Sequence, residues 1–139
     1  MLKGELMTQR QLKLTLLKDK YGICALPNTA QIPEWALMQS LISITRTKEE
    51  LTIVCQQDLI PSQYQSDLNW RCFRVDGTFD LNQIGVISSI SLPLTQAGIS
   101  IYVISTYNTD YFLVQEEKVK QTISVLSDSG YSITRYTVE

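Results

Sequence analysis

Two stretches of this chain align without a gap, Ser43–Asp58 (SITRTKEELTIVCQQD) with Val103–Lys118 (VISTYNTDYFLVQEEK). Each holds a β-rich run, a polar turn carrying an acid, a second β-rich run and the opening of a helix, and Glu50 falls opposite Asp110. A unit of this kind has an apolar sheet face that it cannot cover alone. The near-repeat therefore predicts two small related subdomains in tandem, with the sites of interest where the copies meet.

Length and composition narrow the class. A chain of 139 residues can bury about two-thirds of its unfolded surface, enough for a real core. An apolar content of 44% with 19% charged residues belongs to ordinary globular chains. No run approaches a membrane span, and the opening MLKGELMTQRQLK has neither a continuous apolar segment nor a small-residue cleavage site, so the cytoplasm is expected. The net charge is −2 and the 12 basic residues are scattered, which argues against nucleic acid as a partner. There is no histidine, which removes Ser-His-Asp and Cys-His nucleophiles, the commonest zinc ligand and the usual base near neutral pH. The chain also lacks a GxGxxG motif, a Walker loop and a close pair of carboxylates on an apolar scaffold. No catalytic, metal or cofactor role is expected. Cys24, Cys55 and Cys72 lie in separate β-like apolar runs without a CxxC and read as buried reduced thiols.

The pattern of elements follows from periodicity. Leu12, Leu14 and Leu16 alternate with Lys13 and Thr15 as in a strand, and Tyr21–Leu26 is a second short strand ended by Pro27-Asn28. Pro33 can open a short helix over Glu34–Met38. Leu41–Thr45 and Leu51–Cys55 read as a hairpin around residues 46–50. The polar segment from Ile60 to Asn69 is the best boundary, dividing the chain into modules 1–66 and 67–139. Beyond it come a strand Trp70–Val75, a turn at Asp76-Gly77, and a helix capped by Asp80 or Asn82 that runs to about Gln96. Its stripe is Ile84, Ile87, Ser91 and Leu94, Gly98 stops it, and Pro93 within it predicts a kink. Strands Ile99–Ser105 and Tyr111–Val114, a helix from Glu116 with stripe Val119, Ile123 and Leu126, a stop at Gly130 and a strand Tyr131–Val138 complete the half. The second half thus reads β-α-β-β-α-β, the split βαβ of the ferredoxin-like fold, and the first half a degenerate copy.

Two turns of the second half carry chemistry. The segment Asp76–Gly85 leads into a helix N-terminus whose free N–H groups attract a carboxylate or phosphate. Ser105–Asp110 offers hydroxyls, an amide and one carboxylate, suited to an ammonium or guanidinium group. Together they complement a zwitterion, an amino acid. Plainer readings stand beside this one. Thr, Asn and Asp are ordinary turn residues, Gly85 can serve helix–sheet packing, Trp35 and Trp70 fit a core, and Glu116-Glu117 suit any helix N-terminus.

The stretch Gly98–Val114 (GISIYVISTYNTDYFLV), with Trp70–Val75 (WRCFRV) and Ile84–Ile87 (IGVI), resembles the small bacterial tandem ACT-domain proteins and their relatives, the CASTOR family of cytosolic arginine sensors. Pro33–Leu37 (PEWAL), Ser43–Thr47 (SITRT) and Leu51–Cys55 (LTIVC) are similar to that family's first half, so the likeness covers roughly residues 11–134. It implies an α+β chain of two tandem ferredoxin-like ACT modules with antiparallel sheets, non-catalytic, regulatory, and binding an amino acid or similar metabolite at an interface between modules. By the same likeness Gly85, Val86 and Ile87 would contact the ligand from the helix start, and Thr106, Tyr107, Asn108 and Asp110 from the other wall. The animal sensors carry four modules, so a homodimer is expected, with a regulatory protein partner also possible. A structural or protein-interaction module working through ACT sheet edges is the alternative.

Overall fold

The computed structural model describes residues 12–76 and 85–135. The expected caps Asp80 and Asn82, and Ile84 of the expected stripe, lie outside the described residues. The chain divides into two compact units, one holding Asp19–Trp70 and the other the chain up to Lys18 and from Arg71 onward. The division expected at 66/67 lies at the first residues of β4, as defined below.

The run expected as two strands is one, β1 (Lys13–Leu26). No glycine or proline separates Leu16 from Tyr21, so nothing in the backbone interrupts the extended chain. The later part of β1 joins β2 (Ser43–Arg46), β3 (Leu51–Gln56) and the start of β4 (Ser66–Val75), in the order β2-β3-β1-β4. Antiparallel registers set Cys24 against Ile53, Leu26 against Leu51 and Arg46 against Leu51. This is the strand order of a ferredoxin-like sheet, but the helices are reduced. The turn expected as a helix at Glu34–Met38 is a single 3-10 turn, Glu34–Ala36, and another occupies Gln57–Leu59. One face of this sheet buries Cys24, Leu26, Leu51, Ile53 and Cys55 with Ala36.

In the other unit β4 is followed by α1 (Val86–Gln96), β5 (Tyr102–Ser105), β6 (Asp110–Gln115), a 3-10 turn at Glu116–Lys118, α2 (Val119–Asp128) and β7 (Ser132–Arg135). The β-α-β-β-α-β succession is as expected, while the pairing is not. The start of β1 lies beside β4 and pairs in parallel with β7, Lys13 against Ser132 and Leu16 against Arg135, so this sheet is not purely antiparallel. Its helix-covered face buries Leu14, Leu16, Phe73, Val75, Phe112 and Val114 against Val86, Ile90, Leu94, Val119 and Leu126. The Phe73 and Phe112 rings stack with centroids 5.0 Å apart.

The buried stripe of α1 is Val86, Ile90 and Leu94, a strict i, i+4, i+8 row, with Ile87 and Ser91 only half-buried. Pro93 does not stop the helix. Its missing N–H leaves the Ser89 carbonyl without the usual donor, and the Tyr131 hydroxyl, 2.9 Å away, supplies one.

The internal repeat is real but one residue out of the sequence alignment. The strands and turns coincide when Ser43 is matched with Tyr102, Thr47 with Thr106, Leu51 with Asp110 and Gln57 with Glu116. Both hairpins close alike, Thr47 N–H on the Glu50 carbonyl at 2.9 Å and Thr106 N–H on the Thr109 carbonyl at 2.8 Å. Glu50 therefore corresponds to Thr109. Asp110 stands where the other copy has Leu51, a fully buried core residue.

Candidate functional site

The alternation of β6 explains why Asp110 is unusual. Phe112 and Val114, two and four residues on, face the helix-covered core, so Asp110 continues that row at its rim. A carboxylate is costly where its counterpart is a buried leucine unless something satisfies it. Ser105, its cross-strand partner, donates its hydroxyl to Asp110 Oδ1 at 2.6 Å. The rest of the turn is held by its own threonines. Thr106 Oγ1 accepts from Thr109 N–H at 3.1 Å, and Thr109 Oγ1 donates to the carbonyl of Val75 at 2.6 Å. That last bond ties the turn to the end of β4. Thr106, Tyr107 and Asn108 are exposed, and Asp110 is half-buried.

At the other expected wall, Gly85 is the N-cap of α1 with φ 88°, a left-handed conformation that glycine adopts without penalty. Gly85 itself has no side chain with which to cap this helix. The Gly85 carbonyl accepts from Ser89 N–H at 3.0 Å, while the N–H groups of the first turn have no intrahelical acceptor by geometry. Val86 is buried in the core, so only its main chain is available at the helix start, and Ile87 is half-buried. Thr106, Asn108 and Asp110 thus share one turn with Tyr107, while Gly85, Val86 and Ile87 share the start of α1. The tether from Thr109 to Val75 is the link between that turn and the strand leading toward the helix.

Sequence reasoning overlooked a polar network at the end of β4. Asp76, expected only as a turn residue, accepts from Arg74 Nε at 2.9 Å through Oδ1 and from Thr15 Oγ1 at 2.7 Å through Oδ2. Its carboxylate is engaged by the protein itself. The period-two spacing of Arg74 and Asp76 was the available signal. Further along β4, Arg71 donates to the Leu17 carbonyl at 2.9 Å and lies 3.4 Å from Glu116.

The three cysteines are free and buried. Burial pushes the Cys72 thiol up to about 12, against a smaller opposing effect of Arg74. Burial likewise raises Cys55, opposed by a hydrogen bond from Gln39 and reinforced by Cys24. Thiols held protonated in this way are poor nucleophiles. No helix among the described residues is long and apolar enough to cross a membrane.

The ACT domain profile matches residues 65–128, and a second profile, described as an N-terminal domain, matches residues 19–63. The cytosolic arginine sensor for mTORC1 subunit 1 of Mus musculus is 32% identical over 103 residues, covering 72% of this chain and 30% of the sensor. The human counterpart is also 32% identical, and the chain again spans 30% of its length. Among solved structures, a protein of Agrobacterium tumefaciens superposes with a TM-score of 0.87 at 36% identity, over 93% of this chain and 96% of that one. A Vibrio cholerae protein of unknown function, titled a possible transport protein, gives 0.72 at 25% identity, over 91% and 94%. The regulatory subunit of aspartate kinase from Thermus thermophilus, at 9% identity and a TM-score of 0.57 over 79% of this chain and 91% of that one, shares the fold. Residues 65–128 thus belong to the ACT-domain family, in a chain related to the cytosolic arginine sensors.

Proposed function

We propose that this chain is a non-catalytic regulatory protein of two tandem ACT modules, residues 1–66 and 67–139, that binds an amino acid or similar small metabolite in the cytoplasm. The binding groups are the N–H donors of Gly85, Val86 and Ile87 for the ligand's carboxylate, and Thr106, Tyr107, Asn108 and Asp110 for its cationic part. The observation that carries the reading is the carboxylate of Asp110 at a strand position where the repeated copy has a buried leucine. A core row does not gain a carboxylate by packing, and a cation is the partner that compensates it. The left-handed start of α1 at Gly85, which brings no side-chain cap of its own, supplies the complementary donors. The similarity to an arginine sensor puts arginine first among the ligands to try.

The protein acts as a homodimer in this reading. Among the described residues β5 is an edge of its sheet, and its sequence Tyr-Val-Ile-Ser has no charge, proline or glycine to blunt pairing with a second copy. Ligand binding shifts the balance between two arrangements of the protein only if its affinity for them differs.

A thermal-shift panel of the twenty amino acids tests the site. A ligand at a hundred times its Kd adds about 2.7 kcal/mol of stability. Asp110→Asn keeps an acceptor for Ser105 while removing the charge, so it is expected to leave the unliganded protein intact and to weaken an amino-acid ligand about tenfold or more, the cost of one charge-assisted bond. Gly85→Ala is a poorer probe, since φ 88° strains any alanine there whatever the ligand does. No response to any amino acid, or equal binding by Asp110→Asn, removes this assignment. Light scattering on the same samples decides between the dimer and a 15.8 kDa monomer.

A further inference from the structure

The two copies end the first strand of their hairpin differently. Arg46 ends β2 and lies opposite Leu51, while Ser105 ends β5 and lies opposite Asp110. These are the same two places of the repeat. A cation beside an apolar side chain in one copy answers to a hydroxyl beside a carboxylate in the other.

Arg46 spends its donors on its own unit. Nη1 donates to the Asn28 carbonyl, and Nη2 donates to the Ala30 carbonyl at 2.9 Å. Both oxygens belong to the turn that follows β1, closed by Ala30 N–H on the Pro27 carbonyl at 3.0 Å. Asn28 returns the contact, its Nδ2 donating to the Lys48 carbonyl at 2.8 Å. Among the described residues no carboxylate pairs with the Arg46 guanidinium, and main-chain oxygens alone hold it. Two carbonyls two residues apart suit the planar fork of a guanidinium, which offers separate N–H groups to each, better than the single nitrogen of an ammonium.

The other copy ties its hairpin back without a cation. Thr109 Oγ1 bonds the carbonyl of Val75, the last residue of β4 as Leu26 is the last of β1. Ser105, in the place of Arg46, gives its hydroxyl to Asp110.

The structure assigns to Asp19–Trp70 a guanidinium site, formed by the carbonyls of Asn28 and Ala30, that the chain fills with its own Arg46. Tethered by its side chain, this guanidinium sits at an effective concentration on the order of millimolar or more, so a free cation below that level does not displace it. The first copy is thereby closed to an outside cation and holds its turn in place without one. Joined to the reading of Asp110 above, on which this consequence rests, the response to an amino acid is confined to the second copy, one ligand per chain.

The probe is guanidinium ion, kept well below the concentrations that unfold the chain, with urea and sodium chloride as controls and heteronuclear NMR of the full chain as the readout. In the parent, the amides of residues 28–31 are expected not to shift. Arg46→Ser installs the other copy's residue at an exposed position. In that variant the Ala30 amide is expected to exchange with solvent severalfold faster, and guanidinium is expected to shift residues 28–31 and 46–48 and to slow the exchange again. Arg46→Lys keeps the charge without the fork and is expected not to restore the parent's exchange rate. Parent-like exchange in either variant, an equal effect of urea or sodium chloride, or guanidinium shifts at residues 28–31 in the parent would overturn the assignment. Shifts at residues 28–31 in Arg46→Ser with none at residues 105–110 in either protein would support the built-in occupant and count against the amino-acid reading instead.

Discussion

Tyr131→Phe is expected to destabilise the protein through a single carbonyl. In α1 the Ser89 carbonyl would ordinarily accept from the N–H four residues later, but that residue is Pro93. The Tyr131 hydroxyl sits 2.9 Å from this carbonyl and 2.7 Å from Ser89 Oγ, and the ring is 5% exposed. Phenylalanine keeps the ring and removes only the donor, so the expected cost is that of an unsatisfied buried acceptor, about 1–3 kcal/mol. Ser89 Oγ loses its contact with the Tyr131 hydroxyl as well but keeps its own acceptor at the Val86 carbonyl, 2.8 Å away, so the carbonyl bears most of the loss. In urea, with a slope of about 1–3 kcal/mol/M for a chain of this size, the midpoint should fall by roughly 1 M at unchanged slope. The decisive measurement is the double-mutant cycle with Pro93→Ala. Alanine returns a backbone N–H at the right place, so on that background Tyr131→Phe should cost about 1 kcal/mol less than in the parent. Equal costs in both backgrounds would refute the view that the tyrosine replaces the proline's missing donor.

Two further outcomes follow from burial. The Cys72 thiol, pushed from 9.0 up to about 12, favours the neutral form in the folded state, so its contribution is complete below pH 9 and is lost as pH rises from 9 toward 12. Tyr131, raised above its ordinary 10.0 by burial, acts with the same sign. Stability measured by urea titration should therefore fall between pH 9 and 11, with up to about 1.4 kcal/mol per pH unit from Cys72, and the fall should be shallower by that amount in Cys72→Ala. A methyl group at Gly22 would meet Ile60 Cδ1 at 2.7 Å and Leu68 Cδ2 at 2.9 Å, both flexible ends of side chains. Gly22→Ala should thus cost only about 1 kcal/mol by thermal melting, less with Leu68→Ala added, and a total loss of folding would contradict this packing.

Local chemistry was enough for much of this protein. The alternation in Leu12–Leu16, the polar break between Thr45 and Leu51, and the glycines at 98 and 130 are short-range signals, and they mark the strands, the first hairpin and the helix ends. The β-α-β-β-α-β succession and the buried thiols follow from the same periodicities. What depended on distant contacts was not legible. β1 is one strand because two different partners, β3 and β7, pair with its two halves, and a sequence window sees neither. The α1 stripe falls on Val86, Ile90 and Leu94 because the sheet beneath fixes the helix's rotation, whereas several apolar stripes fit the sequence equally well. The repeat was visible in the sequence, yet its register was not. Similar residue types lie on both sides of a four-residue turn, and only the hydrogen bonds from Thr47 to Glu50 and from Thr106 to Thr109 fix the match. That single-residue shift sets Asp110 against Leu51, so a carboxylate that reads as an ordinary turn residue becomes a charge at the rim of a core row.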